Sequence, residues 1–294
     1  MAGTILRALR VYQWSKNLLV FAALIFAQQL QYPSQVLRSV LTFAAFCAAS
    51  STMYLFNDIM DVDKDRVHPE KRNRPLASGA MKVSSAVLLL LVSLALSLGL
   101  ALHLGPRVLA VVLVYMAFIA AYSLGLKNVT IVDILLVAIG FVIRAMAGAI
   151  ALDVTFSNWL VVCTLFLALF LAIGKRRHEI RLLSDGAVDH REVLGHYSVP
   201  YLDALNLIVA GATLITYTIY TCSPEVVDRL ATDKLYLTLP FVVYGLFRYL
   251  YLVHNEMEGG DPGSTLLKDR PLGITVVLWG LACVVIIYYG KLPG

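Results

Sequence analysis

Residues 83–104 read VSSAVLLLLVSLALSLGLALHL and contain no Asp, Glu, Lys or Arg. An α-helix of this length rises about 30 Å, which is the thickness of the hydrocarbon core of a bilayer. The run at 107–125 is similar in length and composition. Both runs therefore predict helices that cross a membrane.

Comparable apolar runs recur along the whole chain. Hydrophobic residues make up 59% of the sequence and charged residues 15%, against about 25% charged residues in a soluble domain. We therefore predict an all-α, polytopic membrane protein that forms a single domain over residues 1–294 and begins with a short surface helix at 3–14. The expected spans, about nine in number, lie near 17–32, 36–56, 83–104, 107–125, 129–151, 157–174, 203–222, 235–254 and 271–289.

The 24 Lys and Arg residues are distributed unevenly. Most of them fall in segments that share one side of the membrane if the spans alternate, and Lys and Arg are enriched in cytoplasmic loops. This rule predicts a cytoplasmic N-terminus, an outer C-terminus and a cytoplasmic site capped by the loops 57–82, 175–202 and 255–270. It also accounts for the net charge of +5, so no nucleic acid partner is expected.

An acidic motif directly follows the second predicted span. Asn57, Asp61 and Asp65 recur every four residues, and Asp58 precedes Asp61 by three. If the helix continues, these side chains share a face, where neighbouring carboxylates repel each other. A divalent cation removes that repulsion, and magnesium prefers oxygen ligands, of which substrate phosphates supply some. The motif therefore predicts a Mg²⁺ site.

A basic run follows the acidic motif. It includes Lys71, Arg72 and Arg74. Acidic residues that hold a metal, followed by cations that bind uncovered phosphate oxygens, suit a metal–pyrophosphate complex. The cations alone would fit ordinary anchoring at the cytoplasmic face.

These two motifs resemble the first signature of the UbiA superfamily of intramembrane prenyltransferases. The matching positions are Asn57, Asp58, Asp61 and Asp65, followed by Lys71, Arg72, Arg74, Pro75 and Gly79. The resemblance implies nine transmembrane helices around a central cavity, with a second Asp-rich motif after the sixth span.

The second motif departs from that pattern, since residues 174–179 read GKRRHE. This departure resembles the polyprenyl-phosphate phosphoribosyltransferase branch of the family. Other segments similar to that branch are Gln13–Asn17, Tyr122–Lys127, Arg144–Gly148, Phe247–Tyr249 and Lys268–Arg270. The resemblance implies transfer of phosphoribose from phosphoribosyl pyrophosphate to a decaprenyl-type polyprenyl phosphate in the bacterial plasma membrane. It leaves a homo-oligomer open.

The resemblance also implies roles for individual residues. Asp58, Asp61 and Asp65 are the expected catalytic residues and, with Asn57, the metal ligands. The expected substrate-binding residues are Lys16, Asn17, Lys71, Arg72, Arg74, Tyr122, Lys127, Arg144, Lys175, Arg176 and Glu179. For Arg144, which lies inside a span, a structural ion pair with Asp133 is the alternative, because a buried charge needs a partner or a cavity.

Two other functions remain open at this point. One is transfer of an isoprenyl group from its pyrophosphate to an aromatic or other small acceptor. The other is non-catalytic binding or transport of a lipid phosphate, for which a dense acidic motif beside a basic one would not be needed. The cations at Lys175–Arg177 distinguish the phosphoribosyl reaction from isoprenyl transfer.

Overall fold

The computed structural model describes residues 2–67, 69, 71–155, 158–183, 192–256 and 262–290, and these residues form helices and turns without a β-strand. Within this described part of the chain, eight helices are long and apolar enough to cross a membrane, which confirms the predicted all-α, polytopic fold. We label the long helices α1 (Pro33–Met60), α2 (Val83–Leu104), α3 (Pro106–Leu124), α4 (Val132–Leu152), α5 (Asn158–Leu183), α6 (Val199–Cys222), α7 (Leu239–Asn255) and α8 (Arg270–Tyr289). Short helices occupy Ala2–Ala8, Val62–Val67, Pro224–Leu230 and Pro262–Lys268, and a 3₁₀ turn at Lys234–Thr238 extends the start of α7.

The first predicted span, 17–32, lies closer to the N-terminus than expected. A 3₁₀-helix at Val11–Phe21 continues as an α-helix at Ala22–Phe26; we call these residues the N-terminal segment. Because a 3₁₀-helix rises about 2.0 Å per residue and an α-helix about 1.5 Å, the segment is about 30 Å long. It therefore matches the hydrocarbon core in length. The predicted C-terminal boundary was wrong, because residues 27–32 form the turn before Pro33 starts α1.

The N-terminal segment packs closely against α4. A Cβ atom built on Gly148 would lie 2.0 Å from the carbonyl oxygen of Val20. Only glycine fits at this crossing, as is common where membrane helices approach closely. The segment is thereby held against the middle of the helical bundle.

Helix α1 lies at the centre of the protein. Apart from Phe46, residues 44–52 (AAFCAASST) are small and allow close packing, and most of the stretch is buried. Phe46 and Ala49 share a core cluster with Tyr115 of α3 and Ala147 of α4. The central position of α1 places the acidic motif at its end beside several other helices.

Arg38 joins three helices at the opposite end of α1. Its Nε donates to the carbonyl oxygen of Ala151 in α4 (2.7 Å), and its Nη2 donates to that of Leu104 in α2 (3.2 Å). The last carbonyls of a helix lack partners within the helix and carry partial negative charge. Arg38 satisfies two of them and so fixes the predicted outer end of the bundle.

The predicted loops are shorter than expected, because helices extend into them. Helix α5 continues to Leu183, past its predicted end at 174, and a short helix at Pro262–Lys268 occupies part of the loop 255–270. The group at 175–179 therefore lies on a helix. Residues 184–191 and 257–261 of these loops lie outside the described residues.

Candidate active site

The acidic motif lies where α1 ends. Asp58 and Asp65 are only 2% and 3% exposed. Arg74 Nη1 donates to Asp58 Oδ1 (3.1 Å) and to Asp65 Oδ2 (2.5 Å), and Arg10 also pairs with Asp58 Oδ1. Two carboxylates that are separated in sequence thus face one cationic group.

Asp61 has a different partner. Lys127 Nζ lies 3.0 Å from Asp61 Oδ2. Backbone hydrogen bonds continue from Asn57 to Asp61 (2.9 Å) and from Asp61 to Asp65 (2.8 Å), but Asp61 itself departs from helical geometry at φ −102° and ψ 12°. Asp58 and Asp65, which lie seven residues apart, therefore converge on Arg74, while Asp61 faces Lys127.

The basic run folds back over the acidic motif. Residues Lys71–Asn73 form a 3₁₀ turn, and the Arg74 N–H donates to the Lys71 carbonyl oxygen (2.9 Å). Gly79 has a φ of +77°, which glycine adopts without strain. The turn brings Arg74 to the carboxylates, whereas Arg72 stays exposed and Lys71 is half-buried.

A second polar group lies on α5. The Arg176 side chain is 1% exposed, and its three nitrogens all donate. Nε binds Asp133 Oδ2 (2.5 Å), Nη1 binds Glu179 Oε2 (2.5 Å), and Nη2 binds Tyr122 OH (3.0 Å). Arg176 is thus committed to protein acceptors, and the prediction that it contacts substrate directly gains no support from this geometry.

Lys175 is the more accessible cation of this group. Its side chain is 36% exposed, and its Nζ lies 4.0 Å from Glu179 Oε1. Lys16, from the N-terminal segment, lies within electrostatic range of Lys175 and also pairs with Gln13. Cations from two separate elements therefore approach each other beside Glu179, an arrangement suited to an anionic ligand.

Arg144 and Asn17 lie deeper in the bundle. Arg144 donates to Asn17 Oδ1, the Gly140 carbonyl oxygen and Tyr115 OH, each at 2.7 Å. Asn17 is fully buried. The suggested Arg144–Asp133 ion pair was wrong, because Asp133 binds Arg176 and Tyr197 instead. Arg144 thus donates to neutral acceptors in a structural network, and Asn17 is one of these acceptors.

Comparison with known proteins identifies the fold family. A model of the UbiA prenyltransferase family matches residues 17–256. The chain belongs to the UbiA prenyltransferase family. It is also an integral membrane protein, as its apolar helices indicate.

Two proteins with similar sequences align with this chain over most of their length. The chain is 34% identical over 294 residues to a decaprenyl-phosphate phosphoribosyltransferase of Mycolicibacterium smegmatis, covering 95% of this chain and 91% of the relative. A protein of the same name from Corynebacterium glutamicum is 33% identical, with 98% and 88% covered. A solved UbiA homolog from Archaeoglobus fulgidus, bound to GPP and Mg²⁺, has a TM-score of 0.72 at 20% identity, with 96% of this chain and 99% of that chain covered. The last comparison concerns the fold alone.

The UbiA acidic motif fits a magnesium ion by its donor chemistry. Among the described residues, no three His, Cys, Asp or Glu side chains form a group ready to hold a metal by themselves. Asp58 and Asp65 nevertheless direct carboxylate oxygens at one positive charge, that of Arg74. Magnesium often takes one or two carboxylates and completes its shell with water and substrate phosphates. These residues fit that mode of binding.

Sequence reasoning missed three contributors to the site. Arg10 lies outside the two motifs that predicted the site, and it pairs with Asp58. Asp133 was assigned the wrong arginine, and Tyr197, whose hydroxyl donates to Asp133 Oδ1 (2.7 Å), was not considered. The sequence offered one signal for these contacts: Asp133 lies inside the predicted span 129–151, where a charged side chain needs a partner.

Proposed function

We propose that this UbiA protein transfers the 5-phosphoribosyl group of phosphoribosyl pyrophosphate to a decaprenyl-type polyprenyl phosphate. The bond between ribose C1 and the pyrophosphate oxygen breaks, and a bond between C1 and an oxygen of the lipid phosphate forms. Pyrophosphate leaves. The names of relatives that align with nearly the whole chain support this assignment.

The polar group on α5 is the observation that carries the proposal. An isoprenyl chain offers no hydrogen-bonding groups, whereas phosphoribose offers hydroxyls and a phosphate. Glu179, held in place by Arg176, is suited to accept hydrogen bonds from ribose hydroxyls, as acidic residues do in other nucleotide sites. Lys175 supplies a compact positive charge for a phosphate.

The acidic motif acts on the leaving group. Asp58 and Asp65 would hold magnesium, with Asp61 and Asn57 as neighbouring oxygen donors. When bound, magnesium supplies positive charge that stabilises the departing pyrophosphate. Arg74, whose side chain is 23% exposed, reaches both the carboxylates and the space beside them. Its guanidinium can therefore bind pyrophosphate oxygens in a bidentate manner.

The acceptor needs positioning rather than deprotonation. A lipid phosphate is already an anion, so the attacking oxygen requires no general base. Lys16, which lies within electrostatic range of Lys175, and Lys127, which contacts Asp61, are suited to place that phosphate near C1. As charge develops on the ribose ring at C1, the nearby Glu179 carboxylate favours the oxocarbenium character of the transition state.

We place the site at the cytoplasmic face of a bacterial plasma membrane. If the N-terminal segment crosses the bilayer along with the eight long helices, the two termini lie on opposite sides. The excess of Lys and Arg around the site then puts the N-terminus inside. Accessibility of single cysteines to a membrane-impermeant reagent tests this orientation.

A transfer assay in detergent tests the reaction. Phosphoribosyl pyrophosphate labelled in the ribose is incubated with a polyprenyl phosphate, with magnesium present or chelated. We expect magnesium-dependent label in the lipid phase. A parallel reaction contains an isoprenyl pyrophosphate and an aromatic acceptor. Product in the parallel reaction alone would show that the chain is an isoprenyl transferase.

A further inference from the structure

Tyr197 connects the chain that follows α5 to the polar group on α5. It lies just after a 3₁₀ turn at Glu192–His196. Its hydroxyl donates to Asp133 Oδ1 (2.7 Å) and accepts the Ile131 N–H (2.6 Å). The other oxygen of Asp133 accepts Arg176 Nε (2.5 Å). A continuous chain of hydrogen bonds therefore runs from Tyr197 through Asp133 to Arg176.

The direction of these hydrogen bonds is fixed by chemistry. The Ile131 N–H can only donate, so the Tyr197 oxygen accepts it and keeps its own proton for the Asp133 carboxylate. Burial and the adjacent Asp133 carboxylate raise the pKa of Tyr197, so the hydroxyl stays protonated. Replacement by phenylalanine would leave Asp133 Oδ1 without this donor and the Ile131 N–H without this acceptor.

The backbone beside this contact is under strain. Ile131 has a φ of +70° and ψ of −43°, a conformation that β-branched residues rarely adopt. Strain of this kind persists where the surroundings enforce it. The hydrogen bond from the Ile131 N–H to Tyr197 is one such constraint, and packing of Val193 against Ile134 and Ile173 is another. The segment 192–197 is thus anchored to the start of α4.

We propose that Tyr197 is a positioning residue for donor recognition. Through Asp133 and Arg176, it sets the location of the Glu179 carboxylate and the Tyr122 hydroxyl, the two groups that Arg176 holds toward the site. Tyr197 itself does not touch the substrate. This inference rests on the proposed function only for the identity of the donor.

The experiment compares Tyr197→Phe with Tyr201→Phe. Tyr201 is a matched control, because its ring stacks on that of Tyr197 with centroids 6.3 Å apart, while its side chain is 42% exposed. We expect Tyr197→Phe to raise the KM for phosphoribosyl pyrophosphate about tenfold, as loss of partners behind a binding group commonly does. The KM for the lipid phosphate and the melting temperature should change much less, and Tyr201→Phe should behave as the wild type.

A double-mutant cycle with Glu179→Gln separates positioning from simple destabilisation. If Tyr197 acts through Glu179, the double variant binds the donor no more weakly than Glu179→Gln alone, because coupled residues are not additive. Independent, additive effects or an unchanged KM in Tyr197→Phe would overturn the proposal. If Tyr197→Phe does not fold at the assay temperature, the cycle is run at the highest temperature at which this variant stays folded.

The same cycle is run with whichever pyrophosphate donor the wild type accepts. Coupling with an isoprenyl pyrophosphate would retain the role of Tyr197 and refute the phosphoribosyl assignment. If the wild type uses phosphoribosyl pyrophosphate but the Tyr197 and Glu179 substitutions act independently, the phosphoribosyl assignment stands and the role of Tyr197 is refuted.

Discussion

The acidic motif and the polar group on α5 both pair arginine with aspartate, but they differ in how firmly the arginine is held. The Arg176 side chain is 1% exposed and bonds to groups on three helices, whereas the Arg74 side chain is 23% exposed and reaches its carboxylates from a turn. A buried cation whose nitrogens all donate to protein acceptors holds the helices that carry those acceptors together. A half-exposed cation on a turn can change partners. The comparison therefore assigns a structural task to Arg176 and an exchangeable charge to Arg74.

The largest effect is expected at the acidic motif. Asp58→Asn should lower the transfer rate about a thousandfold or more, because a ligand for the metal that stabilises the leaving group is lost. Its matched control is Asp63→Asn, since Asp63 lies between the motif residues Asp61 and Asp65 but its side chain is 86% exposed. Initial rates at several magnesium concentrations measure the effect. Equal losses in both variants would contradict a specific role for Asp58.

Arg176→Leu tests whether the ion pairs and hydrogen bonds of Arg176 stabilise the helical bundle. Removing one partner of a buried ion pair leaves the other charge uncompensated, so we expect a loss of about 3 kcal/mol in stability. Arg66→Leu is the comparison, because the exposed Arg66–Asp63 pair contributes about 1 kcal/mol or less. Thermal unfolding in detergent, followed by size-exclusion chromatography, reports the difference. Normal stability in Arg176→Leu would show that its network is dispensable.

Gly148→Ala provides a reference outside both regions. The new methyl group would meet the Val20 carbonyl oxygen at 2.0 Å, so we expect a loss of about 1–3 kcal/mol from overpacking. Gly99→Ala, where nothing lies within 4 Å of the added atom, should be neutral or slightly stabilising. Thermal unfolding of the two variants side by side measures both effects. A tolerated Gly148→Ala would mean that the N-terminal segment can move away from α4.

The smallest effect is expected for Arg74→Lys. Lysine keeps the charge but loses the planar guanidinium, whose Nη1 contacts both carboxylates and whose other nitrogens can bind phosphate oxygens, so we expect about a threefold loss in rate with little change in stability. Arg176→Lys, in contrast, should reduce stability as well as rate. Rates and melting temperatures of both variants sharpen the comparison. A stability loss in Arg74→Lys equal to that in Arg176→Lys would remove the distinction between the two regions.

Much of the fold could be predicted from the sequence, because long apolar runs report directly on membrane-crossing helices. The end of α5 could not. Charged residues after 174 indicated a loop, yet Arg176 and Arg177 remain helical because Asp133 and Asp203, from α4 and α6, neutralise them. These partners are distant in sequence, and hydropathy carries no information about them.

The sequence indicated which acidic residues form the candidate site, but it did not indicate which cation contacts each of them. The spacing from Asn57 to Asp65 indicated a shared acidic surface, and the carboxylates do gather at the end of α1. Which cation meets which carboxylate depends on how helices cross. Arg10 and Arg74 approach Asp58 from opposite directions along the chain, and no local pattern reports such a convergence.

The 3₁₀ geometry of Val11–Phe21 gives this stretch three sides. With three residues per turn, side chains three positions apart lie directly above one another. Trp14, Asn17 and Val20 form the inner row, Tyr12, Ser15 and Leu18 the outer row, and Gln13, Lys16 and Leu19 the third, with burial that follows the same division. Deleting one residue near Val11 would turn the rest by a third of a revolution and exchange whole rows. Lys16 would then take the place of Ser15 in the outer row, and Asn17 would take the place of Lys16. The register of this short stretch therefore decides whether a cation lies near Lys175.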